Sequence, residues 1–321
     1  MPSSAKPVVR IVTPGTREAN NGNWRTAVRW AAMLRGPFRV ILQTAWAGEP
    51  ADVLIALHAR RNAAAIRGFR ERYPDRPIAL VLTGTDLYTD IAKDAAARES
   101  LRIADRLVVL QDDALRHVPA SHRAKAVVIF QSAPALKPAP KTRYRLDAIV
   151  VGHLRPVKDP GTVFRALDAV SPELCIRVRH IGAALDASLG RQAAALARRD
   201  PRYRWSGALP HGLTRAAIKR AHVLVHPSLL EGGANVIVEA IVSGTAVIAS
   251  RMSGNIGMLG ADHPGLFPVG DSRALARLLT RAASEPAFLG ELRQAGDRRK
   301  SLFRPETEAA AVRRLVRGLR R

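Results

Sequence analysis

Short runs of β-branched and large apolar residues recur along the chain, separated by stretches in which alanine, leucine and arginine repeat with helical spacing. The apolar runs 8–12, 38–42, 53–57, 78–83, 106–109 and 126–129 predict strands, and the segments 26–34, 63–73 and 91–104 between them predict helices. Strands and helices alternating in this way build βαβ units, and βαβ units close into a parallel sheet. The alternation breaks at 132–145, where Pro134, Pro138 and Pro140 are interleaved with Lys137 and Lys141, the composition of a linker. Beyond it the pattern restarts, with strands predicted at 148–151, 175–181, 203–205, 223–226 and 246–249. Helices are predicted at 162–169, 185–199, 213–220, 235–242 and 272–283. The last stretch, 306–321, reads as a basic helix with Leu315, Val316 and Leu319 on one side. The expected architecture is therefore two α/β domains, 1–135 and 136–305, with helix 306–321 packing back on the first. A cleft between two such domains is the default place for a ligand.

Composition narrows the function classes. The 321 residues are 47% hydrophobic, an ordinary globular content, so the charge does not belong to a disordered basic tail. Lys and Arg together number 51 against 27 Asp and Glu, a formal net charge of +24, and 43 of the basic residues are Arg. Arginine-rich drift accounts for part of that, but an excess of this size also predicts an anionic partner. The single cysteine, Cys175, excludes an internal disulfide and any zinc site built on paired cysteines. The apolar run near the N-terminus is too short for a signal sequence, and no window approaches 18 uninterrupted apolar residues. A cytoplasmic protein without stable membrane insertion is expected.

Several common chemistries lack their residues. There is no G-x-x-x-x-G-K-[ST] phosphate loop, no G-x-G-x-x-G after the first strand, no Asp-x-Asp pair, and the nine histidines show no metal spacing. No metal or other cofactor is expected. Two stretches carry signal instead. In 226–240, Glu231 and Glu239 flank a turn opened by Gly232-Gly233 and followed by Ala234 and Asn235. Such a strand, glycine turn and helix start presents backbone N–H groups and the positive end of a helix to an anion. Glu239, about a turn further on and among Val236, Ile237, Val238 and Ile241, is a buried carboxylate that needs a partner, such as a ribose diol. The second stretch, Gly152-His153-Leu154-Arg155 through Lys158, puts cations at the C-terminal end of a strand, the ligand edge of an open α/β sheet. Taken alone, the second stretch reads as a solvated basic loop, whereas the first favours an anion-binding role over a plain first-turn glutamate.

Together these residues resemble the retaining nucleotide-sugar glycosyltransferases of GT-B fold, two Rossmann-like domains facing each other across a cleft. Gly152 to Lys158 looks like that family's phosphate loop, Trp205 to Leu209 like its base-reading loop, and Glu231 and Glu239 like its spaced glutamates. The resemblance implies that Lys158 binds the donor diphosphate, Glu231 contacts donor-sugar hydroxyls and Glu239 holds the ribose. His153, Arg155, Leu209, Gly232, Gly233, Ala234 and Asn235 complete the implied donor site. His153 stands where the family usually has Arg, so Arg155 is expected to compensate.

The first half narrows the match. Thr13-Pro14, the loop to Asn21-Gly22-Asn23, Thr26 to Trp30, Leu57-His58-Ala59-Arg60-Arg61 and Thr83-Gly84-Thr85-Asp86 look like the selenosugar synthases of selenoneine biosynthesis. Those enzymes join selenophosphate to the sugar of a UDP-sugar, typically UDP-N-acetylglucosamine. The resemblance implies that Thr13, Gly22, Asn23, Thr26, His58, Arg60, Arg61, Thr83, Gly84, Thr85 and Asp86 bind the acceptor. It further implies that His58, Arg60, Arg61, Lys158 and Glu231 carry the catalysis. Other enzymes of that pathway are possible partners; nucleic acid is not an expected one. Two further readings stay open: a glycosyltransferase with a hydroxyl acceptor, and a basic nucleic-acid or membrane-surface binder built on the terminal helix.

Overall fold

The computed structural model describes residues 5–16 and 22–320. Asn21, part of the predicted acceptor loop, lies outside them. The chain divides into two compact units. Unit 1 comprises Met1–Gln131 and Pro305–Arg321, and unit 2 comprises Ser132–Arg304.

Unit 1 is built on a six-stranded sheet of β1 (Val8–Val12), β2 (Arg39–Gln43), β3 (Val53–Leu57), β4 (Ile78–Leu82), β5 (Arg106–Val109) and β6 (Ala126–Val128). Their order is β2-β1-β3-β4-β5-β6, and every pairing is parallel. β3 and β4 are buried along their whole length, as sheet strands covered on both faces must be. Alternate residues of β3 feed the two layers. Leu54 and Ala56 join Phe69 and Leu101, while Val53, Ile55 and Leu57 join Trp30 and Val316. The terminal helix Pro305–Leu319 belongs to the second layer. Its Val312, Leu315 and Val316 are buried, and its Glu308 accepts from Trp30 Nε1 and Arg29 Nε, both at 2.7 Å. Its apolar stripe is therefore spent on packing.

Unit 2 repeats the plan with β7 (Leu146–Val151), β8 (Ile176–Ile181), β9 (Tyr203–Trp205), β10 (Val223–His226), β11 (Ala246–Ser250) and β12 (Leu266–Phe267). Their order is β12-β11-β10-β7-β8-β9, again all parallel. The proline-bearing stretch that opens this unit is irregular but pinned. Arg215 Nη2 donates to the Pro134 carbonyl at 2.6 Å and Lys141 Nζ to the Gly244 carbonyl at 3.1 Å. Burial beside Arg293 pushes the Lys141 ammonium down to about 8.

The structure departs from the predicted elements in a few places. The stretch expected as one helix over 91–104 is two, Ile91–Lys93 and Ala95–Ile103, preceded by a π-helical turn, Asp86–Asp90. Asp94 makes the break: its backbone is extended, and its carboxylate accepts from Ala97 N as the cap of the second helix. Helices Ser253–Leu259 and Pro286–Arg299 and strand β12 are additions. Among the described residues no helix is long and apolar enough to cross a membrane.

Candidate functional site

In both sheets the strands run parallel, so their C-terminal ends share one edge, and nearly every residue singled out in the sequence lies at or just beyond it.

In unit 2, Gly152 follows β7 and Gly182 follows β8. These two loops touch backbone to backbone: a Cβ on Gly182 would lie 1.9 Å from the Gly152 carbonyl oxygen, so only glycine fits. His180 locks the pair from below. Its Nδ1 bonds the Tyr203 hydroxyl at 2.9 Å and its Nε2 meets the Gly152 carbonyl at 3.1 Å. Burial drives its pKa down to about 4, so it is a neutral structural histidine. His153 turns its Nδ1 to the Ala183 N–H at 3.0 Å. Arg155 is exposed. Lys158 ends a short 3-10 turn, and Asp159 follows with φ of +42°, capping helix Pro160–Ala169. The Lys158 stem lies over Gly152, and its ammonium forms an ion pair with Glu231.

Glu231 sits in the loop after β10. That loop is tied to the lysine loop by Leu229 N donating to the Val157 carbonyl at 2.9 Å. From below, buried His226 brings Nε2 to 3.5 Å of Glu231 Oε1. Gly254 backs the loop so closely that a Cβ there would fall 2.0 Å from the Glu231 carbonyl oxygen. Burial alone would raise the Glu231 carboxyl, but the Lys158 ammonium and the neighbouring His226 ring outweigh it and hold the group ionised, far below the usual carboxylate range. Burial pushes His226 down as well. Gly232 and Gly233 lead to Ala234, the N-cap of helix Asn235–Val242. Glu239, on the buried face of that helix, bonds His211 Nε2 at 2.6 Å. Leu209, half-buried, precedes His211 in the loop after β9.

In unit 1 the loop after β3 carries the first cluster. His58 is buried at 3% exposure and takes a left-handed φ of +76°, uncommon for any residue but glycine. Its Nδ1 accepts from the Arg61 N–H at 3.4 Å, which leaves the proton of the neutral ring on Nε2, 3.8 Å from Asp90 Oδ2. Burial lowers the His58 pKa, against the opposing pull of Asp86. Arg60 Nε donates to Asp90 Oδ2 at 3.1 Å, and Arg61 is exposed. Asp86, completely buried, spends both oxygens on backbone: Oδ1 takes Thr83 N and Gly84 N, and Oδ2 takes Ala59 N, each at 2.9 Å. It welds the β3 and β4 loops together. Thr85 caps the π-helical turn, and buried Thr13 follows β1. Gly22 and Asn23 open helix Gly22–Leu34, with Thr26 buried in its first turn.

The structure thus gathers the implied donor residues on one edge of unit 2 and the implied acceptor residues along one edge of unit 1. It adds partners the sequence reading passed over: His226 behind Glu231, His211 on Glu239, Asp90 beside His58, and Gln131 on Thr26. All but His226–Glu231 join residues 28 or more positions apart, so no local spacing announces them.

Residues 137–299, just over half of the chain, match the family Glycosyl transferases group 1. No curated protein matches the sequence. Among solved structures, the chain superposes on sucrose-phosphate synthase from Thermosynechococcus elongatus with a TM-score of 0.80 and 16% identity, covering 98% of this chain and 99% of that one. It superposes on Anabaena HepE in complex with UDP-glucose with a TM-score of 0.75 and 14% identity, over 97% and 99% of the two chains. For a UDP-forming trehalose-phosphate synthase from Burkholderia xenovorans the TM-score is 0.67 at 15% identity, over 85% and 74%. At these identities the likeness establishes the fold: the α/β GT-B class expected from the sequence.

Proposed function

The chain belongs to the group 1 glycosyl transferases, and from that premise we propose that it transfers the sugar of a UDP-sugar to selenophosphate. The observation that carries the donor half is the Lys158–Glu231–His226 cluster beside a glycine-led helix start, with Glu239 buried one turn into that helix. A nucleoside diphosphate fits it group by group. The diphosphate meets Lys158, Arg155 and the helix start, Glu231 meets sugar hydroxyls, and Glu239 takes the ribose diol. Charge placed where the leaving group develops negative charge stabilises its departure. The solved complex of HepE with UDP-glucose supports a uridine nucleotide.

The acceptor half rests on the resemblance of the first-half stretches and on the cations at the unit 1 edge. Arg60, Arg61 and neutral His58 Nε2–H are donors suited to a phosphate-like oxyanion. In the reaction, selenium attacks the anomeric carbon, the C–Se bond forms, the C–O bond to UDP breaks, and UDP leaves with the electron pair. Water then attacks phosphorus, the Se–P bond breaks, and phosphate and the selenosugar separate. Selenium arrives anionic, so the first step demands no general base and, in this scheme, no resident cofactor.

Incubation with UDP-N-acetylglucosamine, with and without selenophosphate, tests the proposal. UDP release that depends on selenophosphate, with a selenium-bearing sugar by mass spectrometry, supports it. UDP release indifferent to selenophosphate overturns the acceptor assignment and leaves a hydroxyl acceptor.

A further inference from the structure

A chain of buried polar side chains runs behind the loop that carries Glu231. Asn255, in the first turn of helix Ser253–Leu259, turns its Nδ2 to Ser250, the last residue of β11. It donates to the Ser250 carbonyl at 2.9 Å and to Ser250 Oγ at 3.0 Å. A hydroxyl carries one proton, and that of Ser250 goes to the Ser228 carbonyl at 2.5 Å, so Ser250 Oγ can only accept from Asn255. The order Asn255 to Ser250 to Ser228 is thereby fixed, and all three residues are buried. Ser228 stands three residues before Glu231 in the loop after β10. In the sheet β10 lies between β11 and β7, so that loop is held from either side: Ser250 grips Ser228 from β11, and the Val157 carbonyl takes the Leu229 N–H at 2.9 Å from the lysine loop after β7. Gly254, next to Asn255, closes the third side by backing the Glu231 carbonyl so tightly that no Cβ fits.

Stability accounts poorly for this relay. Two of its oxygens, Ser228 Oγ and Asn255 Oδ1, are buried without a partner. Unpaired buried oxygens cost about as much as such bonds contribute, so the group as a whole adds little to folding. What it supplies is direction. Lys158 and Glu231 come from loops 73 positions apart, and their ion pair keeps its place only if both loops are held. We propose that Ser250 and Asn255 are positioning residues of the donor site, fixing the β10 loop so that Glu231 meets the Lys158 ammonium in the register a diphosphate needs. The inference rests on the donor assignment above and extends it to residues that act through Glu231. Groups that bind or stabilise a charged ligand work best when the structure behind them is already ordered.

Calorimetric titration of the full chain with UDP and with UMP tests this, since only UDP carries the diphosphate. Ser250→Ala cuts the relay in the middle and keeps the Asn255 bond to the backbone carbonyl of residue 250. Thr245→Val is its control. Thr245 immediately precedes β11 at the opposite end of the strand, and its buried hydroxyl likewise donates to a backbone carbonyl, that of Ile218 at 2.8 Å. Both variants should lower the melting temperature by similar amounts, each having lost one buried bond of the same kind. Only Ser250→Ala should weaken UDP, by about tenfold, with UMP staying within about threefold of the parent. In a Glu231→Gln background the same substitution should change UDP affinity by less than about twofold, because its effect passes through Glu231. Unchanged UDP affinity in Ser250→Ala, an equal loss in Thr245→Val, or an undiminished loss in the Glu231→Gln background overturns the relay and leaves the donor assignment standing. A parent chain that does not bind UDP overturns both.

Discussion

Under the proposed function each unit holds an anion, and the two would do so in different ways. In unit 2 the ionisable groups are already matched to one another: Lys158 and His226 on Glu231, His211 on Glu239. A nucleotide must take over these contacts, so binding exchanges one set of charge-assisted bonds for another. In unit 1 Asp86 spends its carboxylate on backbone, Arg60 is exposed yet paired to buried Asp90, and Arg61 stands exposed. A proposed acceptor would add a contact at Arg61, whereas at Arg60 it would compete with Asp90. Matched groups give geometry, which favours catalysis and specificity; exposed cations give attraction, which favours capture.

The widest separation between the units is expected at Lys158. Lys158→Ala removes the cation from the leaving group and strands Glu231. A fall in kcat of about 10²–10³ is expected, the range for deleting one preorganised donor at a developing charge. If the loss appears only in KM, Lys158 is a binding residue and the contrast with unit 1 collapses.

Acid should also tell the units apart. Unit 2 buries His180, His222, His226 and His263, each with its pKa lowered by burial, and unit 1 buries His58. For His180 and His263 the shift is from 6.5 to about 4. Between those values the unfolded chain holds protons that the folded unit does not. The stability these residues contribute is therefore complete above about 6.5 and is lost as pH falls toward about 4, on the order of 3 kcal/mol for each. Unit 2 should unfold first on acidification. Its only tryptophan is Trp205, whereas unit 1 holds Trp24, Trp30 and Trp46. Fluorescence of the parent against Trp205→Phe resolves the two transitions, and coincident transitions would show that the buried histidines do not set the order.

Glu239 comes next. Glu239→Ala deletes the buried carboxylate proposed to hold the ribose. UDP affinity should fall about tenfold to a hundredfold, the worth of hydrogen bonds to a charged group. His211→Ala frees one carboxylate oxygen without removing the carboxylate, so it should change UDP affinity by less. Calorimetry on both variants orders them; a larger loss in His211→Ala makes the histidine the ribose partner.

How far the sequence shows this depends on whether a feature is local. The alternation of apolar runs and helical stretches is local, and it gives nearly all of both sheets. The helix start at Ala234 and the buried face that carries Glu239 are legible for the same reason. Helix Ser253–Leu259 is not. Its two glycines weaken any helical signal, and one of them, Gly254, is there because the Glu231 backbone approaches too closely for a side chain. The partners inside the sites are harder still. Lys158 and Glu231 are 73 positions apart, Gln131 and Thr26 are 105 apart. The role of Asp86 as a weld between two loops exists only once β3 and β4 lie side by side. Sequence marks the residues that face the edge, and packing decides which of them remain available to a ligand.

The smallest effect is expected at Arg61, and it is the sharpest test of the contrast. Its side chain is exposed, and its structural task, holding His58 Nδ1, is performed by its backbone N–H. Arg61→Gln should therefore leave the fold and the donor site alone. An exposed ionic contact is worth about 0.2–1 kcal/mol, so KM for selenophosphate should rise by no more than about fivefold, with kcat and UDP affinity unchanged. The difference between parent and variant should shrink as salt is added, since screening weakens an exposed cation far more than a buried pair. A salt-independent loss, or a loss in kcat comparable with that of Lys158→Ala, would mean that Arg61 is held against the reacting groups after all, and that unit 1 works by matched geometry just as unit 2 does.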